Sequence, residues 1–69
     1  MNRYWKAFET QKERTAWEKE QAQANPHFKV CMRYPVNQLE RELGMPKGNL
    51  APYKFATIYR LDYDPERGF

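Results

Sequence analysis

Two stretches of the chain alternate apolar and polar residues. Residues 53 to 63 alternate longest: Tyr53, Phe55, Thr57, Tyr59, Leu61 and Tyr63 fall on one side, and Lys54, Ala56, Ile58, Arg60 and Asp62 on the other. A period of two, filled with β-branched and aromatic side chains, predicts a half-buried strand. Residues 28 to 34 repeat the pattern, with Phe28, Val30, Met32 and Tyr34 opposite Lys29, Cys31 and Arg33, and Pro35 stopping the run. Between these strands, residues 36 to 43 read as a short helix with Leu39 and Leu43 one turn apart. Asn37 and Glu40 are spaced as a capping pair, Pro35 offers an alternative start, and Gly44 stands where a left-handed C-cap belongs. Residues 45 to 52 then form a loop, whose Met45-Pro46-Lys47-Gly48 suits a type I turn.

The first third of the chain has a longer period. Residues 3 to 24 are rich in Glu, Lys, Gln and Ala and read as one helix, with Asn2 as its cap and Asn25-Pro26 as its end. At 100° per residue, Met1, Tyr4, Trp5, Phe8 and Ala16 share a face that is apolar mainly in its first half, while Trp17 points away from it. Arg14 and Glu18 are spaced for an i,i+4 ion pair. Thr15 and Glu18 also fit a capping box, which allows a break near Thr15.

The expected fold is therefore α+β, in the order α-β-α-β. A two-stranded sheet packs on the long N-terminal helix within a single domain of residues 1 to 69, with residues 64 to 69 a polar C-terminal tail. Clean alternation favours antiparallel pairing. Two strands and one helix make a thin core at 69 residues. The long final strand would also keep an open edge, so a homodimer is expected, with a four-stranded sheet or with the N-terminal helix paired to its twin.

Composition narrows the class. Aromatics reach 16%, which argues against disorder despite 30% charged residues. No apolar run approaches the ~20 residues of a membrane span. The N-terminus lacks the apolar core of a signal peptide. With Cys31 alone, no internal disulfide can form, and a reducing, cytoplasmic setting is expected. The net charge of +3 is uneven: +1 over residues 1 to 26, +4 over 27 to 61 and −2 over 62 to 69.

The chemistry available is sparse. On one extended strand His27 and Cys31 would stand about 13 Å apart, too far for a nucleophile and its base. One His and one Cys cannot build a zinc site. Asp62, Asp64 and Glu66 alternate but lack the spacing and glycine of a calcium loop. Nucleotide-phosphate motifs are absent, so no cofactor is expected. A helix-turn-helix reading of residues 39 to 50 fails at Pro52, which would fall inside the recognition helix.

What remains is binding. The expected function is that of a small non-catalytic protein that binds and modulates, in the main inhibits, another protein. Frames of this size are common in phages and mobile elements, where such inhibitors abound. Arg14, Trp17, Arg33, Arg60 and Tyr63 are the candidate partner contacts, because Trp, Tyr and Arg dominate interface hot spots. The alternative is a nucleic-acid binder. It would use Lys29, Arg33, Lys54 and Arg60 as one basic strand face, provided the aromatic sides of both strands pack on the helix.

Overall fold

The computed structural model describes residues 3 to 68, and the elements run β1 (Arg3–Phe8), α1 (Gln11–Ala24), β2 (Lys29–Pro35), α2 (Val36–Glu42) and β3 (Phe55–Arg60). The fold is α+β, but its order is β-α-β-α-β, and the sheet has three strands rather than two. The expected long N-terminal helix is the error. Residues 3 to 8 are a strand, and the helix begins only at Gln11. Thr10 sets that boundary: its backbone is extended (φ −128°, ψ 154°), and its Oγ1 accepts a hydrogen bond of 3.1 Å from the Glu13 amide. Ahead of it, Tyr4-Trp5-Lys6-Ala7-Phe8 is aromatic enough to extend once a partner strand is available. The helix then runs unbroken through Thr15 and Glu18 to Asn25. The expected cap Asn2 and the face residue Met1 lie outside the described residues, as does Phe69 of the tail.

The strand order is β1-β3-β2, with β3 central and antiparallel to both neighbours. β3 is shorter than its alternation suggested, so Tyr53, Lys54 and residues 61 to 63 lie beyond it. On β1 the register is regular, pairing Arg3 with Arg60, Trp5 with Ile58 and Ala7 with Ala56. The β2 register slips at a bulge between Val30 and Met32. Directly opposite residues share a face of a sheet, and a one-residue slip moves everything beyond it to the other face. Hence Val30 opposes Tyr59 and Arg33 opposes Thr57 on one face, while Lys29 opposes Arg60 and Met32 opposes Ile58 on the other.

The two helices cover opposite faces. α1 lies over β1 and β3 on the Phe55/Thr57/Tyr59 side. There Trp17 meets the rings of Phe8, Phe28 and Tyr59 at 5.1–5.6 Å between centroids. α2 covers one end of the other face, burying Val36 and Leu39 on Ala56, with Ala7, Tyr34, Leu50 and Ile58 packed around them. The loop after α2 is tied down by Glu40. Its buried carboxylate accepts the Gly48 and Leu50 amides at 3.1 and 2.7 Å. Gly44 makes the turn out of α2 at φ 71°, where a side chain would be strained.

Candidate functional site

The expected partner contacts separate once placed on this frame. Trp17 is half-buried at the centre of the aromatic cluster on the α1 side. Arg14 is largely buried: its guanidinium carbon sits 5.5 Å from the Phe55 ring centroid, and its Nε lies 4.0 Å from Glu18 Oε2. That contact is the i,i+4 pair that the spacing implied. Arg33 reaches the same carboxylate from β2, donating from Nε to both oxygens at 3.1 Å and from Nη2 to Oε1 at 2.7 Å. Thr57 Oγ1 adds a bond of 2.6 Å to Glu18 Oε2. Burial penalises the charge on Glu18, but the hydrogen bonds from Arg33 and Thr57, with the charges of Arg33 and Arg14, outweigh it. They hold the carboxyl below its usual range. Arg14, Trp17 and Arg33 thus bind α1 to the sheet.

The single basic face expected of Lys29, Arg33, Lys54 and Arg60 does not assemble. The bulge places Arg33 on the α1 face and leaves Lys29 on the face of Arg60. Lys54 stands beyond the end of β3, where its amide donates to the Phe8 carbonyl at 2.9 Å. It lines an open cavity of about 310 Å³ with Val36, Asn37, Lys47 and Tyr53.

The structure instead assembles two rows on the α2 side, the first at the margin of the area that α2 covers and the second beyond it. The first row is Trp5, Ile58 and Met32, one residue from each strand in direct register. Trp5 is 39% exposed and Met32 47%, both high for large apolar side chains. The second row is Arg3, Arg60 and Lys29, the next positions outward on the same three strands. α2 has only seven residues, which is why it leaves this end of the sheet open.

Neighbouring contacts fix parts of the basic row. Arg60 Nε donates to Asp62 Oδ1 at 2.7 Å, a bond that raises the Arg60 pKa and holds Asp62 below its ordinary value. Lys29 Nζ lies 5.0 Å from the centre of the Tyr63 ring. Tyr63 is itself held by His27: the Tyr63 amide donates to the His27 carbonyl at 3.0 Å, and His27 Nδ1 stands 2.8 Å from the Tyr63 carbonyl. The tail thereby flanks the basic row. Of the five expected contacts, Arg60 and Tyr63 border this open end.

Sequence reasoning missed Arg3, Trp5, Met32 and Ile58 as a surface. The signal for Arg3 and Trp5 was present in the aromatic density of Tyr4, Trp5 and Phe8, and in the Thr10-x-x-Glu13 capping spacing. The placement of Met32 had no such signal, because it depends on the bulge. Among the described residues, no helix is long and apolar enough to cross a membrane. No protein-family model matches this chain, and neither does any curated protein or solved structure.

Proposed function

We propose that this chain is a non-catalytic binding protein that modulates a partner protein, docking it on the open end of the sheet. The observation that carries the reading is the exposed pair Trp5 and Met32, flanking the partly buried Ile58, beside the Arg3/Arg60/Lys29 row. Trp, Met and Arg are the residues enriched at the desolvated centres of protein interfaces. The matching partner surface is an apolar projection bordered by carboxylates. One feature favours a protein over a nucleic acid. Two of the three apolar residues are aliphatic, whereas bases stack on aromatic faces. Blocking a surface of the partner, and so inhibiting it, is the mode of action this arrangement suits.

The test is capture from a lysate treated with nuclease, comparing the natural chain with Met32→Glu and with Lys12→Glu, a control on the exposed side of α1. The reading expects one protein retained in stoichiometric amount by the natural chain and by Lys12→Glu, and lost by Met32→Glu. Equal retention by all three chains would overturn it. So would recovery of nucleic acid alone, lost steeply as salt rises.

A further inference from the structure

The two sheet edges differ. β2 has a bulge between Val30 and Met32 and ends in Pro35, two devices that spoil further strand pairing. β1 has neither: it pairs regularly with β3 over all six residues, and within the described sheet no strand lies on its other side. Its lysine does not guard the edge either. Lys6 Nζ folds over the α1 face, 5.7 Å from the Phe8 ring centre and 5.9 Å from that of Trp17.

We propose that β1 pairs antiparallel with β1 of a second copy, joining two sheets into one of six strands, in the register that sets Trp5 opposite Trp5. Symmetry and charge select this register. A two-fold axis relating neighbouring antiparallel strands runs perpendicular to the sheet and keeps each face on its own side. Opposite residues must then share a face. Two such registers pair five residues of β1. One sets Lys6 opposite Lys6, a like-charge pair that destabilises a sheet. The other sets Trp5 opposite Trp5, Tyr4 opposite Lys6 and Arg3 opposite Ala7, with no like charges facing. In that register the tryptophans meet at the axis on the open face, and each Lys6 lies beside a tyrosine ring of the other copy, where a cation is attracted. The open rows of the two copies then form one surface, with the tryptophan pair at its centre.

The chain also exposes more surface than a compact monomer of its mass. Its 5177 Å² compares with about 4600 Å² from the usual scaling.

The experiment has two readouts on the full-length chain. Sedimentation equilibrium is expected to give twice the chain mass, reduced to a monomer by Trp5→Lys, with circular dichroism unchanged. In a Cys31→Ala background, mild oxidation is expected to link Trp5→Cys chains to one another and Lys6→Cys chains far more slowly. Because Trp5→Cys removes part of the contact, a mixture of Arg3→Cys and Ala7→Cys chains is a second probe of the register and should link across copies. A monomer at the highest soluble concentration would overturn the proposal. So would a dimer in which Lys6→Cys links fastest, or in which neither Trp5→Cys nor the Arg3→Cys/Ala7→Cys mixture links. Met32→Glu, two strands away, should leave the dimer intact while abolishing partner capture, so the two readings fail separately.

Discussion

Among the described residues, Glu18 has the most heavily committed side chain. Its carboxylate gathers Arg33 from β2, Thr57 from β3 and Arg14 from one turn before it on its own helix. Removing one partner of a buried polar cluster leaves the others desolvated and unsatisfied. Glu18→Gln should therefore cost about 1–3 kcal/mol, read as a fall of roughly 4–8 °C in melting temperature for each kcal/mol at this chain length. The same residue predicts the acid response. Its pKa is lower folded than unfolded, so its stabilisation is complete above the ordinary glutamate pKa of about 4.3 and is lost as pH falls through the folded value. Between pH 5 and pH 3 the natural chain should lose more stability than Glu18→Gln does. Parallel losses in the two proteins would show that the carboxylate does not couple to folding. The spacing of Arg14 and Glu18 was readable from the sequence. That Glu18 would be buried was not, because burial follows from where Thr57 and Arg33 meet the helix.

At the scale of the element, single side chains set boundaries. Thr10 ends β1 and opens α1 through one hydrogen bond to Glu13. Thr10→Ala should cost about 1 kcal/mol, the usual value of such a cap, measurable by urea denaturation. Glu40 plays a comparable part for the loop from Gly44 to Lys54 by accepting two of its amides. Glu40→Ala should raise amide exchange at Gly48 and Leu50 well above that in β3, while the sheet persists. Unchanged exchange at those two amides would refute the clamp. The short helix and its glycine exit were legible in residues 36 to 44, since capping and turn residues act locally, whereas alternation only favoured the antiparallel pairing of β2 with β3 over a parallel one. The bulge at Cys31 was not. Residues 28 to 34 alternate without interruption, and only pairing with β3 reveals the slip that moves Arg33 away from Lys29.

The whole molecule is elongated rather than compact. Its Cα radius of gyration is 12.7 Å, against about 11 Å for a compact chain of this length. The buried apolar core is limited to Phe8, Phe28, Val36, Leu39 and Ala56 among the described residues. Such a core leaves little reserve, so association should contribute measurably to stability. If two copies join through β1, the melting temperature should rise with protein concentration, as mass action requires for a folded dimer that unfolds to monomers. A melting temperature independent of concentration would place the stability within one chain. Met32→Glu should leave that temperature nearly unchanged, because Met32 is already exposed.

The sequence by itself determined the pieces whose cause is local: α2 with its glycine exit, the existence of β2 and β3, the end of α1 at Asn25-Pro26 and the Arg14–Glu18 spacing. Residues 3 to 8 were misread as helix at that level, because their local preferences conflict. Arg3, Lys6 and Ala7 suit a helix, while Tyr4, Trp5 and Phe8 suit a strand. Tertiary structure decided them, because β3 is a central strand and its second edge satisfies its backbone groups by pairing with β1. The same pairing brought Arg3 and Trp5 into register with Arg60 and Ile58, and the bulge added Lys29 and Met32. The open face is thus assembled from residues distant in sequence, and their adjacency follows from strand register rather than from any local pattern.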